Sequence, residues 1–336
     1  MFGRDDAARS KRSEDDAAKL QQLQEEVARL SARLQEDVGR IAVRLEDVAR
    51  VVDSSYHENL FWLRRLHASS AVYLGDHVAM TFLSNGCRAY IDTRSRDVGV
   101  HLLHGGTWET NYTEAFKRLL RPGARVLDVG ANLGWYALIA APIVGAAGRV
   151  FAVEPNPGLA RLVHDSLRTN GFAAFSRVFQ VAVGDAPGVV DLVARPEAPG
   201  GGFIRPASHV VADGAGPAAI RVASVPLDDL LAGEPEPMDV VKMDIEGWEG
   251  MAIRGMSRIL DRSPALRMLV EWGAMQDATP APRAETAASL SARGYLPFRI
   301  AGDGALLRDA WDSVLRERKL TNLVLLKADD PLALAA

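Results

Sequence analysis

Residues 126–134 read VLDVGANLG, and the next acidic strand end, FAVEP, places Glu154 twenty-six positions after Asp128. Val126 and Leu127 lead, as a buried parallel strand would, into a glycine-rich turn and then the helix-like run WYALIAA. Gly130 and Gly134 lack a β-carbon, so the backbone can turn sharply and a ligand can lie against it. Glu154, ending the following strand, is placed to accept hydrogen bonds from a ribose diol, the logic of nucleotide sites at the carboxyl ends of parallel strands.

Regular alternation begins after Arg121-Pro122-Gly123. Strands are expected at 125–129, 149–153, 177–182, 188–193, 219–223, 238–243, 266–271, 295–300 and 321–327. Helices are expected at 133–141, 157–169, 226–231, 248–260 and 283–293. Strands alternating with helices predict an α/β fold with a doubly wound, mostly parallel, Rossmann-like sheet that ends antiparallel. This domain is expected over 119–330. A Gly/Pro/Ala-rich stretch at 195–218 is expected to be a loop long enough to act as a lid.

The N-terminal region reads differently. Residues 1–14 are charged and expected to be disordered. From 15 to 53 there is no proline, and Leu20, Leu23, Val27, Leu30, Leu34, Val38, Ile41, Leu45, Val48 and Val52 are spaced 3, 4, 3, 4, 4, 3, 4, 3 and 4. That is a heptad seam with one extra step of four, a stutter. The helix would be about 50 Å long. No other segment offers a partner of similar length, so self-association into a homo-oligomer through 15–53 is expected; the alternative is a helix folded back on its own domain. Residues 54–118 read as a connecting or cap region. It holds an amphipathic helix at 56–67, two strands around Asn85-Gly86, and a helix starting near Thr113. His101 and His104 sit three apart, but no third metal ligand is evident nearby.

Composition excludes several classes. Lys+Arg 39 against Asp+Glu 43 gives a net charge of −4, with no basic excess for nucleic acid. The single cysteine, Cys87, rules out an internal disulfide framework. The N-terminus has no apolar signal-peptide core, and the longest apolar run, 137–147, is eleven residues broken by Pro142. A cytoplasmic protein without a transmembrane segment is expected.

Two cofactor chemistries compete for the turn. A dinucleotide site usually shows G-x-G-x-x-G, whereas here Asn132 stands where a second glycine is expected and Asp128 lies inside the strand. An acidic strand end before G-x-x-x-G resembles the first motif of S-adenosyl-L-methionine (SAM) dependent methyltransferases. A nearby carboxylate suits a sulfonium and would repel a pyrophosphate. An NAD-dependent oxidoreductase and a non-catalytic coiled-coil scaffold with a vestigial SAM fold stay open as alternatives. Further strand ends carry polar groups toward the same crevice. VAVGD places Asp185 where an adenine edge could be read. VVKMDIEGWEG puts Lys242, Asp244 and Glu246 on alternate residues, and LRMLVEWG ends in Glu271. Three charges leaving a buried strand are costly unless they serve each other or a ligand.

The combination of VLDVGANLGWYALIAA, GRVFAVEPNP, VAVGD, VPLDDLL and VVKMDIEGWEG resembles the FkbM family of SAM-dependent methyltransferases over roughly 98–300. The resemblance implies O-methylation of sugars and related hydroxyl compounds. It makes Asp128, Gly130, Asn132, Gly134, Glu154 and Asn156 cofactor contacts and centres the acceptor side on Asp244 and Glu246. The acceptor is then a small molecule or glycan. Asp244 or Glu271 is expected to take the acceptor proton. A second route has Asp244 and Glu271 hold Mg2+, which keeps several waters and tolerates few protein ligands. His209, in the loop, is a weaker candidate base.

Overall fold

The computed structural model describes residues 3–68, 71–195, 198–205 and 219–335. The chain divides into two units, Met1–Leu63 and Arg64–Ala336.

One helix, Gly3–Ala68, runs through 66 residues. It absorbs both the expected coil and the separate helix expected at 56–67, and it includes residues 3–14, expected to be irregular. The reason is local: the step between coil and helix, Asp53-Ser54-Ser55-Tyr56, contains neither Gly nor Pro to stop a helix. Exposed i,i+3 and i,i+4 pairs line it, including Arg50 with Asp47 at 2.8 Å and Arg40 with Glu36. The seam residues from Leu23 to Val52 are all 57–66% exposed. The side chain of Leu20 lies outside the described residues.

The second unit is built on an eight-stranded sheet. Its strands in chain order are β1 (Arg125–Val129), β2 (Arg149–Val153), β3 (Ser176–Phe179), β4 (Val240–Met243), β5 (Arg267–Trp272), β6 (Tyr295–Ile300), β7 (Leu306–Arg308) and β8 (Thr321–Lys327). Across the sheet the order is β7-β6-β8-β5-β4-β1-β2-β3. The run from β5 to β3 is parallel, and β8 inserts antiparallel between β5 and β6. The expected parallel sheet with an antiparallel end is therefore the observed one.

Alternate residues feed two cores. Val126 and Val240 join the helix Trp135–Val144 on one face, while Leu127, Val129, Val241 and Met243 pack on the other. The sheet reverses between β1 and β4, which bring their carboxyl ends side by side and open a crevice there.

Two smaller sheets complete the unit. Val78–Phe82 and Arg88–Asp92 form the expected hairpin, joined at its edge by Val72–Gly75. The other sheet holds Ala182–Val183, Gly188–Arg195, Ala198–Arg205 and Ala219–Val225. Two expectations change here. The strand expected over 177–182 divides, with β3 in the large sheet and Ala182–Val183 paired to Ser224 and Val225 in the small one. The stretch 198–205, expected as loop, is a strand antiparallel to 188–195; its glycines hide the β pattern because they carry no side chain to alternate. The remainder of that expected lid, 206–218, including His209, lies outside the described residues. Likewise the helix expected at 248–260 is two short helices, Glu249–Arg254 and Ser257–Arg262, separated at Gly255. A β-carbon there would sit 2.0 Å from the Gly184 carbonyl oxygen.

Candidate active site

The crevice at the β1/β4 boundary holds a cavity of about 280 Å³. Its floor is the turn after β1. Gly130 has φ +76°, and a β-carbon on it would lie 1.9 Å from the Asp244 carbonyl oxygen, so only glycine lets the ends of β1 and β4 approach this closely. Asn132 also takes a positive φ, +51°. Gly134, at φ +81°, starts the helix Trp135–Val144 and does not line the cavity.

Glu154, at the end of β2, is buried against this turn. One carboxylate oxygen accepts from the Asn132 backbone N–H at 2.8 Å and the other from the Asn156 N–H at 2.9 Å. A carboxylate offers about four lone-pair positions, so each oxygen retains capacity toward the cavity it lines. Burial pushes its pKa up to about 7, against the two backbone hydrogen bonds and Lys242. Asn156 is not part of the cavity: its side chain caps the helix Pro157–Thr169 by accepting from the Gly158 and Leu159 N–H groups.

Lys242 and Asp128 face each other in the β4–β1 register. Both are buried, Asp128 completely, and Asp128 lies behind the cavity rather than on its surface. The Lys242 Nζ donates to the Gly130 carbonyl at 3.1 Å, lies 3.7 Å from Asp128 and 3.4 Å from Asp244, and sits 4.9 Å from the centre of the Tyr136 ring. Burial disfavours its charge, but Asp244, Asp128, Glu109 and Glu271 outweigh that and hold the ammonium protonated. Asp128 accepts from the Ala137 N–H at 3.0 Å through one oxygen, and its other oxygen has no hydrogen-bond partner. The family resemblance makes Asp128 a cofactor contact; its position instead makes it a brace for the turn and the counter-ion of Lys242.

The strand does not persist beyond Met243 as the alternating charges suggest. Glu246 has φ +56° and Gly247 φ +93°, a tight turn stapled by buried Glu249, which accepts from the Ile245 N–H at 2.9 Å and the Gly247 N–H at 3.3 Å. Asp244 and Glu246 nevertheless both line the cavity, as does Glu271 from β5. Burial, Asp244 and Asp97 raise the Glu246 pKa to about 7, with Lys242 opposing. Burial with Asp244, Glu249 and Glu246 raises Glu271 to about 10, again against Lys242, and one of its buried oxygens has no partner.

Glu109 and Tyr136 carry no signal in the sequence that singles them out. The Tyr136 hydroxyl donates to Glu109 at 2.8 Å, and Glu109, at φ +43°, starts the helix Thr110–Leu119. Burial and Asp244 hold its carboxyl above the usual range, against the Tyr136 bond and Lys242. The residues HGGTWE show neither periodicity nor motif for that role; only the fold brings them to the crevice. On the far wall, the strand Ala198–Arg205 lies over the turn, so close that a β-carbon on Gly200 would fall 2.0 Å from the Asn132 side chain.

One other expectation changes. Asp185 does not line the cavity; it lies 4.0 Å from Arg254, and the apolar residues Val181, Ala182 and Val183 form the wall instead. Its displacement results from the change of sheet after β3. Asp244 and Glu271 both line the cavity, with the Lys242 ammonium 3.4 Å from Asp244, and among the described residues no group of three His, Cys, Asp or Glu side chains could hold a metal. His101 and His104 lie in the helix Val98–Gly105, where the His101 ring packs on Trp108 at 5.1 Å.

A doubly wound sheet with a glycine turn, an acid at the next strand end and carboxylates across the crevice defines a Rossmann-like nucleotide-binding domain. The Methyltransferase FkbM domain family matches residues 128–296, about half of the chain, and the protein belongs to that family. Curated relatives match over shorter segments. The protein-L-isoaspartate O-methyltransferase of Aeropyrum pernix is 42% identical over 65 residues, 19% of this chain and 24% of that protein. The ribosomal RNA large subunit methyltransferase E of Sorangium cellulosum is 52% identical over 40 residues, 12% and 19% of the two chains. The chain thus spans about a quarter or less of these relatives' length. Among solved structures, a putative transferase from Pyrococcus horikoshii aligns with TM-score 0.39 at 12% identity, over 76% of this chain and 74% of that one. An O-methyltransferase from Bacillus cereus aligns with TM-score 0.38 at 12% identity, over 66% and 82%.

Proposed function

We propose that the protein is a SAM-dependent O-methyltransferase acting on a hydroxyl of a sugar, glycan or glycosylated metabolite. The observation that carries this reading is the cavity itself: it lies over the Gly130–Asn132 turn, with Glu154 on one side and Asp244, Glu246 and Glu271 on the other. The donor set suits a positively charged nucleoside. Glu154 offers acceptors to a diol, and the carboxyl-rich surroundings favour a sulfonium over a pyrophosphate. SAM, when bound, supplies an electrophilic methyl group.

The chain's own residues supply alignment and proton transfer. Holding an acceptor oxygen in line can lower the barrier by roughly 7–11 kcal/mol. Glu246, with a pKa near 7, is poised to take a hydroxyl proton at neutral pH, while Glu271, protonated up to about 10, donates a hydrogen bond rather than acting as base. Asp244, beside Lys242, orients the hydroxyl between them.

The exposed seam of the helix Gly3–Ala68 supports a second part of the reading, assembly of several copies through a coiled coil. No helix among the described residues is long and apolar enough to cross a membrane, and a cytoplasmic location is part of the same proposal.

Thermal unfolding with S-adenosylhomocysteine tests the cofactor assignment. A ligand at 100 times its Kd stabilises by about 2.7 kcal/mol, so a clear rise in midpoint is expected at near-millimolar ligand. A rise with NAD and none with S-adenosylhomocysteine would replace this reading by an oxidoreductase.

A further inference from the structure

The cavity's charge is lopsided. Six carboxyl side chains line it, Asp97, Glu109, Glu154, Asp244, Glu246 and Glu271, and among the described residues lining it the one cation is Lys242. Those acids come from five separate segments of chain, so they are gathered by the fold rather than by one solvated helix face. Burying like-charged groups together is costly unless a ligand or a proton relieves them.

Lys242 does not offset this toward a ligand. Its side chain is 5% exposed, and the ammonium is already committed to the Gly130 carbonyl, Asp244, Asp128 and the Tyr136 ring. An acceptor's phosphate, sulfate or carboxylate beside Asp244, Glu246 and Glu271 therefore meets carboxyl groups and, among the described residues lining the cavity, no available cation.

Glu271, one of these six acids, narrows the chemistry further. Glu271 is 7% exposed on the cavity wall, and one of its oxygens has no hydrogen-bond partner. A hydroxyl both donates and accepts, so it satisfies a carboxyl group in either protonation state, and an ammonium satisfies the ionised form.

We propose that the acceptor is an uncharged or ammonium-bearing polyhydroxyl compound, and that this site rejects acceptors carrying phosphate, sulfate or carboxylate near the reacting hydroxyl. The inference rests on the methyltransferase reading and narrows its substrate class. Free sugars, neutral glycosides and amino sugars belong to the accepted class; nucleotide sugars, sugar phosphates and uronic acids do not.

The test uses the full-length protein and three probes of one ring: methyl glucoside, methyl 2-amino-2-deoxyglucoside and methyl glucuronide. Binding of S-adenosylhomocysteine is measured first; its failure defeats the methyltransferase reading and is distinct from a failure of acceptor choice. Transfer from labelled SAM to the glucoside or the amino glycoside should exceed transfer to the glucuronide at least tenfold. Comparable or faster transfer to the glucuronide overturns the proposal. If no probe is methylated, the melting midpoint of the S-adenosylhomocysteine-saturated protein is read with each. A rise with the neutral or amino probe alone supports the proposal, whereas a rise as large with the glucuronide, or none with any probe, overturns it. Asp97→Asn should raise the glucuronide-to-glucoside ratio, of rate or of midpoint shift, severalfold. An unchanged ratio places the discrimination outside these acids and also overturns it.

Discussion

Replacing Lys242 by methionine, which keeps the apolar stem and removes the charge, should be among the most destabilising single changes in the second unit. Asp128 is fully buried, bonded once by the Ala137 N–H, with its other oxygen 3.7 Å from the Lys242 ammonium. Removing one partner of a buried ion pair leaves the other uncompensated and typically costs about 3–5 kcal/mol. A domain of this size shifts by about 2–4 °C per kcal/mol, so the midpoint should fall by roughly 6–20 °C. The loss should depend on pH with a defined sign. Burial already raises the Asp128 pKa, against Lys242 and the Ala137 N–H, and without the ammonium it rises further. A folded-state pKa above the unfolded value means that stability is retained at low pH and lost as pH rises. The gap between parent and variant should accordingly widen from pH 5 to pH 8. The double change Lys242→Met with Asp128→Asn should recover part of the loss, because no buried carboxylate is then left alone. Calorimetric or urea unfolding of the parent, both single variants and the double variant at both pH values is the assay. A midpoint change below about 2 °C for Lys242→Met, or a gap that narrows as pH rises, refutes the assignment of Lys242 as the counter-ion that holds this turn.

Other outcomes rest on the same geometry. Glu154→Ala should weaken S-adenosylhomocysteine binding by about 1.5–3 kcal/mol, read by titration calorimetry, with an unchanged Kd excluding it from the nucleoside site. Asp244→Asn should lower turnover while leaving cofactor affinity within a few fold; a collapse of affinity would move Asp244 to the cofactor side. Glu154, Glu246 and Glu249 all have folded pKa values raised to about 7, chiefly by burial, so the folded state holds more protons than the unfolded one between about pH 4.5 and 7. Stability of the ligand-free protein should therefore fall as pH rises through that window, and urea midpoints that stay flat or increase contradict it. Deleting residues 1–53 should give a smaller assembly by light scattering, since it removes the exposed seam; an unchanged mass rules out assembly through that helix.

The strands of the large sheet were legible because buried parallel strands are continuous apolar runs with a turn residue at each end. VLDVG, FAVEP and LRMLVEWG end where β1, β2 and β5 end or within a residue or two. Local chemistry was less visible. The glycines of 198–205 gave no alternation, so a strand over the cavity read as a loop. VAVGD looked like the end of a sheet strand, yet the chain leaves the large sheet at Phe179 and carries Asp185 to Arg254. Lys242 and Asp244 lie 3.4 Å apart although the strand whose alternation would align them ends at Met243, and pairing of Lys242 with Asp128 depends on the β4–β1 register, which is tertiary. Glu109 and Tyr136 meet only because the helices Thr110–Leu119 and Trp135–Val144 pack at the same crevice. Asn156 looked like a ligand contact from its motif and is a helix cap, a role that Asn before Pro-Gly also predicts.

The most direct measurement is a crystal structure of the protein grown with S-adenosylhomocysteine. The nucleoside should lie over the Gly130–Asn132 turn, with its ribose hydroxyls on the Glu154 carboxylate and its sulfur directed toward Asp244 and Glu246. A ligand seated elsewhere, or a crevice that stays empty while the compound is present at saturating concentration, contradicts the account.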